Sequence, residues 1–422
     1  MIVVHTSDLH LVPEAFQKTP LEESYYNVLR EVVDLVIENR VKYLLIAGDL
    51  FDYIYEPIDI LVKSVVELKR LREGGVRVVV VPGNHDFSPT RRSVLNLLHE
   101  AGLIRLLGSS VEMDWLILEP LIFEDDKLVF YGIPGFRGSS NKEIEYLKTQ
   151  RVKFREASRL AGYITIVLAH LNTKFQDYDP SKYARKYGAL YMEYEDFFER
   201  MPANTRYIAL GHIHLPIPIG GSFRAKIAYP GAPIGIDIAD LKETAELAKI
   251  GGYRRVLLVD LSEDPPLVKS ARLESTPRVY YSIVEAKSVE EFKVEIKKAL
   301  DSLDPDKISA VLVEVKGADA SDFIRATQDL VKSYGRKKVY IRIKPYEPAL
   351  EEELFTPSIE ITPEAKGVSI EEVELKVIKE YLARRRYSIP PEKIHWLINF
   401  LSQDIGSNVE KVLKEIIEEL GV

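Results

Sequence analysis

The sequence predicts an α/β protein: a two-layer β-sandwich flanked by helices, then a smaller α/β unit and a C-terminal helical segment. Three observations carry this. Short apolar runs, residues 43–47 and 76–80 among them, read as fully buried strands. These runs alternate with segments of helical periodicity, an order that predicts parallel pairing with right-handed crossovers. Most of the runs end in polar clusters, at the carboxyl ends where α/β sheets place their ligands.

Residues 2–6 read as a buried strand whose end carries Asp8 and His10. Over 22–39 the spacing of Val28, Leu29, Val32, Val33, Leu35 and Val36 predicts a helix. The strand at 43–47 runs into Gly48, Asp49, Leu50, Phe51 and Asp52. A helix follows Pro57, a residue suited to a first turn, with Leu61, Val65 and Leu68 on its apolar face. Pro82 and Gly83 stop the third strand, and the turn presents Asn84, His85 and Asp86. Asn and Asp are ordinary turn residues; an imidazole between them is not. Further on come a strand at 127–132, a charge-rich helix at 141–160 and a strand at 164–169 ending in His170. A strand at 206–210 ends in Gly211, His212, Ile213 and His214. This second half is expected to be more antiparallel, with a last strand at 253–261 closing a second sheet.

The first domain is assigned to residues 1–270, and a shift in composition follows over 265–277. Residues 278–345 form a β-α-β-α-β unit, with helices at 289–303 and 320–334. Acidic, Pro-containing residues 346–365 read as a linker. Residues 366–422 hold three short helices, two of them opened by Ser-x-x-Glu capping boxes at Ser369 and Ser407. Their many large apolar residues favour a partner-binding face over a self-contained core.

Composition narrows the chemistry. The absence of cysteine excludes disulfides and thiolate metal sites, so a transition metal must be held by His, Asp, Glu or Asn. No stretch approaches the roughly 20 apolar residues that span a bilayer, and the start lacks a signal-peptide pattern. A cytoplasmic protein with no membrane association is the expectation. A net charge of −8 argues against a broad basic face, though not against a narrow groove beside a metal site that brings its own positive charge.

The polar residues at strand ends are Asp8, His10, Asp49, Asn84, His85, His170, His212 and His214. This is more than one tetrahedral zinc site needs. Two ions of higher coordination sharing Asp49 would use the set. Two ions about 3.5–4 Å apart clamp an in-line displacement at phosphorus and activate a water near neutral pH. Mixed nitrogen and oxygen donors favour Mn, Fe, Zn or Co over Mg or Ca.

The order Asp-x-His, Gly-Asp-x-x-Asp, Gly-Asn-His-Asp, His, Gly-His-x-His resembles the calcineurin-like metallophosphoesterase family over roughly the first 260 residues. Within it the chain is most similar to the double-strand-break repair nucleases of the Mre-eleven/SbcD group. His5 to Leu11, Ala47 to Asp52 and Tyr229 to Pro233 carry that likeness. The resemblance implies one metal on Asp8, His10, Asp49 and His214, and a second on Asp49, Asn84, His170 and His212, both expected to be Mn(2+). It implies His85 as general acid, with Asp86 orienting it, and Asp52 is counted with them as a catalytic residue at a position where the family's common His helps to place the phosphate. It also implies a capping domain at 278–345 and a homodimer acting on DNA. Residues 366–422 would then grip an ABC-type ATPase of the Rad-fifty/SbcC kind. The chain departs from the family pattern at Asp52, where many members carry His, and at Ala232, where they carry Ser. The first departure bears on exonuclease strength more than on metal binding.

His5, His99 and His395 read as structural. Arg91 and Arg92 stand equally for phosphate contacts and for the solvated start of a helix. Two rival functions are a small-molecule phosphodiesterase or nucleotidase on the same fold, and a non-catalytic scaffold that recruits the ATPase. The absence of any missing ligand weighs against the scaffold.

Overall fold

In a computed structural model the described residues are 1–86, 92–137, 141–175, 178–285, 288–316, 325, 327 and 338–346. Arg91, the linker beyond Tyr346, the C-terminal helices and nearly all of the helix expected at 320–334 lie outside them.

Two sheets form the sandwich. The first has seven strands in the order Ser222–Arg224, Leu267–Arg272, Arg255–Asp260, Ile2–Thr6, Tyr43–Ala47, Arg77–Val81 and Arg105–Leu106. From Ile2–Thr6 to Arg105–Leu106 the pairing is parallel, and the other three strands add antiparallel. The second sheet has five strands, ordered Ile227–Ala228, Thr205–Gly211, Ile164–His170, Leu128–Ile133 and Leu121–Phe123. It is parallel except at the Leu121–Phe123 edge.

Alternation along the strands explains the layering. Val3, Tyr43, Leu45, Val79 and Val81 face Phe130, Ile166, Leu168, Tyr207 and Ala209 across the sandwich. Val4, Leu44, Ile46, Val78 and Val80 point the other way, onto helices Glu22–Glu38 and Ile58–Glu73. On the far side of the second sheet, Val129, Tyr131, Val167 and Leu210 pack with Ile144, Leu147 and Phe197. Parallel strands covered on both faces are apolar throughout, which is why these runs show no polar alternation.

Three expectations are corrected. The strand expected to close the second sheet, Arg255–Asp260, pairs instead with Ile2–Thr6 in the first. The antiparallel character of the second half therefore belongs largely to the first sheet. A strand apolar on both faces fits either sheet, and only the return path of the chain selects its partner. The helix expected at 141–160 is only Lys142–Lys148. Gln150 then takes a left-handed φ of 56°, and Val152–Phe154 pairs with Trp115–Leu118 as a small outlying sheet. The sandwich also extends to Arg272, because the unanticipated strand Leu267–Arg272 completes it.

Beyond it, strands Arg278–Val284, Ser309–Val315 and Val339–Pro345 form a parallel sheet with helix Val289–Asp301 as the first crossover. The central strand is buried along its whole length. Ala310 and Leu312 join the helix-side core of the sandwich, and Lys242 on helix Ile238–Lys249 pairs with Glu314.

Candidate metal centre

Every motif sits directly at or after a parallel strand. Asp8 and His10 follow Ile2–Thr6, Asp49 follows Tyr43–Ala47, and Asn84 to Asp86 follow Arg77–Val81. His170 ends its strand, and His212 and His214 follow Thr205–Gly211. The turns are tight. Asp8, His10, Asp49 and His212 adopt left-handed φ values of 52°, 39°, 50° and 93°. Each such residue costs about 1–3 kcal/mol and persists only where its surroundings hold it. Here the Asp8 and His10 N–H groups donate to the Gly48 and Asp49 carbonyls, each at 3.0 Å. The His212 N–H donates to the Asp8 carboxylate at 3.0 Å.

The side chains converge in two groups that share one carboxylate. His170 Nε2 lies 2.9 Å from Asn84 Oδ1 and 3.1 Å from Asp49 Oδ2, and His212 Nδ1 lies 3.1 Å from the same Asn84 oxygen. On the other side of Asp49, His10 Nε2 stands 3.5 Å from Oδ2. His214 Nε2 reaches to 3.9 Å from Asp8 Oδ1, with its ring 5.2 Å from that of His10. Asp8, Asp49, His10, His170 and His214 are all buried. A cavity of about 220 Å³ opens beside the second group, lined by Asn84, His170 and His212 with Asn141, Glu143 and Lys186.

Burial opposes ionisation of Asp49, yet the imidazoles of His170 and His10 hold its carboxyl well below the usual range. Burial likewise acts against a charge on His170, and the Asp49 carboxylate overrides it, raising the imidazole to about 10. His212 goes the other way, down to about 4, through burial and the neighbouring His170. Buried carboxylates among imidazoles demand compensating positive charge, from protons or from cations.

The residues fit a metal. Both ring nitrogens of His10 are buried without an aligned hydrogen bond, although Asp49 and Asp52 stand nearby. The other three imidazoles each anchor one nitrogen outside the cluster and aim the other inward. His170 Nδ1 donates to the Ala47 carbonyl at 2.9 Å, His212 Nε2 to the Tyr187 carbonyl at 3.1 Å, and His214 Nδ1 to Asp240 Oδ2 at 2.9 Å. Such anchoring is how metal-binding imidazoles are held. Donor atoms of Asp8, His10 and His214 lie within 4.8 Å of one another, as do those of Asp8, Asp49 and His170.

His85 stands at the rim, about a third exposed, with its ring 4.7 Å from that of His10. Its Nδ1 lies 3.2 Å from Asp52 Oδ1 and 3.1 Å from the Asp52 carbonyl. Burial lowers its affinity for a proton, but Asp52 and Asp49 outweigh this and raise it to about 9. Asp52 Oδ1 is also 3.2 Å from His10 Nδ1, and His10, Asp52 and His85 form a third compact set. The expectation that Asp86 orients His85 is corrected. The Asp86 carboxylate is buried and accepts the N–H groups of Gly83 at 2.7 Å and Leu50 at 2.8 Å, with Phe51 at 3.4 Å. It ties together the turns that carry Asn84 and Asp49, and Asp52 is the neighbour of His85. Arg92 is exposed and lines a separate groove with Tyr55, Leu61, Val94 and Leu97. Tyr187 and Asp240 escaped the sequence reading because each stands alone in its local pattern, with no motif to mark it.

Buried carboxylates and imidazoles in this number suit the capture of divalent cations, and on a two-sheet α/β sandwich they place the chain in the class of metal-dependent phosphoesterases. It belongs to the calcineurin-like phosphoesterase family, whose profile matches residues 1–216. That family uses a dinuclear divalent-metal site, and the His and Asp groups described above could hold one. Among its relatives is the DNA double-strand break repair protein Mre11 of Saccharolobus solfataricus, 28% identical over 67% of this chain and 66% of that protein. The Mre11 of Archaeoglobus fulgidus is 26% identical over 99% of this chain and 90% of its own length. The SbcD component of the nuclease SbcCD of Bacillus subtilis is 27% identical over 66% of this chain and 74% of that protein.

Proposed function

We propose that this protein is a two-metal DNA nuclease that processes DNA ends in double-strand-break repair together with an ABC-type ATPase. The observation that carries it is the position of Asp49 Oδ2, 3.1 Å from His170 Nε2 and 3.5 Å from His10 Nε2, as a carboxylate shared by two donor groups. Asp8, His10, Asp49 and His214 would hold one ion, and Asp49, Asn84, His170 and His212 the other. Mixed nitrogen and oxygen donors favour Mn(2+). When bound, such a pair supplies charge neutralisation and nucleophile activation for in-line displacement at phosphorus.

The remaining steps fall to the chain's own groups. His85 holds a proton at Nε2, with Nδ1 fixed by Asp52, and delivers it to the departing sugar oxygen as the phosphorus–oxygen bond breaks. The relatives named for double-strand-break repair support DNA as substrate. The Bacillus relative is by name one component of a nuclease, which supports a partner, and residues 366–422 are the segment assigned to it. A homodimer is supported by Ile58, Val62 and Val66, apolar residues exposed at four-residue spacing on one helix. Among the described residues no helix is long and apolar enough to cross a membrane; a cytoplasmic site of action fits the proposed role.

Two measurements test the reading. Mn-loaded protein should degrade linear DNA, and activity confined to nucleotide monoesters would overturn the nuclease assignment. H85A should keep two ions per chain while turnover falls about 10²–10⁴-fold, the usual worth of a general acid. Undiminished turnover in that variant would remove the acid from His85.

A further inference from the structure

Resting on the reading of His214 as a ligand, we propose that Asp240 is its positioning residue. Asp240 holds the imidazole in the Nδ1–H form so that Nε2 is the donor atom, and this makes the two metal positions unequal.

Asp240 lies on helix Ile238–Lys249 and is fully buried. Its Oδ2 accepts His214 Nδ1–H at 2.9 Å and the Ile236 N–H at 2.7 Å. Its Oδ1 accepts Lys186 Nζ at 2.5 Å, and Lys186 in turn reaches Glu243 at 3.0 Å. Both oxygens are therefore committed, and the carboxylate cannot rotate away from the ring. Its backbone is fixed as well. The Asp240 N–H donates to Asp237 Oδ1 at 2.9 Å, and Arg254 donates to the carbonyls of Asp240 and His214 together. Gly235, at φ 109°, leaves the room this needs, since a Cβ there would fall 2.1 Å from the Asp240 Cβ. A carboxylate is only an acceptor, so the proton between it and His214 belongs to Nδ1. In the neutral ring Nε2, facing Asp8, then keeps its lone pair.

The comparison with the neighbouring imidazoles gives the inference its content. His170 and His212 rest their outer nitrogens on backbone carbonyls, those of Ala47 and Tyr187. His214 rests on a charge. A carboxylate partner raises the basicity of the ring it holds more than a neutral carbonyl does, and loss of such a partner weakens metal affinity about 10–100-fold. Only the ion shared by Asp8, His10 and His214 should feel Asp240.

Calorimetric titration of the full chain with Mn(2+) tests this. D240N should weaken one of two ions about 10–100-fold and leave the other at its wild-type affinity. H214A serves as reference. If it leaves both ions bound, the ligand reading itself fails. If H214A loses one ion while D240N binds both as tightly as wild type, the role of Asp240 is overturned. Melting with and without metal separates positioning from support of the fold. A lower metal-free Tm with an unchanged metal-induced rise would also overturn the proposal. Should D240N not fold, nitrogen NMR on zinc-loaded wild-type protein labelled at histidine decides. The expected result is a proton on His214 Nδ1 and metal at Nε2, and the opposite pattern refutes it.

Discussion

The two sheets bring different chemistry to one place. The first supplies all three candidate oxygen donors, Asp8, Asp49 and Asn84, with a single candidate imidazole, His10, and of these Asp8, His10 and Asp49 sit in left-handed backbone. The second supplies His170, His212 and His214, two of them on backbone-carbonyl anchors and one on Asp240. Neither half is a site. The first alone is a knot of carboxylates with unbalanced charge, and the second alone is three imidazoles without a bridging oxygen. Binding of a cation by this set would therefore require the sandwich to be closed, and its affinity would then be part of the folding free energy.

The largest test of this division is the residue both groups share. D49N should lose both ions, and turnover should fall by at least about a thousandfold, because the charge stabilisation removed is worth several kcal/mol. Metal analysis that still finds two ions per chain would break the claim that Asp49 joins the groups. A smaller effect probes the turns of the first sheet. Gly83 packs so closely that a Cβ would lie 2.1 Å from Asp49 Oδ1 and 2.4 Å from its backbone nitrogen. G83A should cost about 1–3 kcal/mol of stability and weaken metal binding, as overpacking does. Denaturant unfolding and metal titration at wild-type values would show that the turn yields freely.

The smallest effect is on the contact between sheets away from the metals. His5 on the first sheet accepts from the Tyr207 hydroxyl at 3.0 Å and donates to the Leu210 carbonyl at 3.1 Å on the second. Burial, chiefly, lowers its pKa from 6.5 to about 3. The folded protein thus keeps His5 neutral where the unfolded chain takes a proton. Its contribution is complete above pH 6.5 and falls by about 1.4 kcal/mol per pH unit as the pH drops towards 3. H5Q keeps a donor and an acceptor without this titration, so the gap between its stability and that of wild type should narrow from pH 7.5 to pH 5. A gap that stays constant in denaturant unfolding at the two pH values would remove His5 from the acid response.

Much of this could be read from the chain. Strands Tyr43–Ala47 and Arg77–Val81 are legible because five buried residues in a row in the one, and four in the other, leave no other reading before a glycine-bearing turn. The metal candidates were legible because each follows such a strand, and strand ends of parallel sheets meet. Asp86 was legible as a residue of the turn after the third strand but not as a clamp, since its three N–H partners come from two different turns. Helix Lys142–Lys148 was overextended because charge-rich residues continue past it, while the strand Val152–Phe154 takes its partner from residues far back in the chain.

What the sequence by itself determined is local: the buried runs, the turns that end them and the donor atoms those turns carry. Period and polarity act over a few residues and need no distant partner to be read. What only the tertiary structure decided is pairing. It set Arg255–Asp260 beside Ile2–Thr6, placed Asp52 between His10 and His85, and put Asp240 behind His214. Those contacts join residues far apart along the chain or across turns, and each is fixed by which faces are left to bury once the sheets have closed.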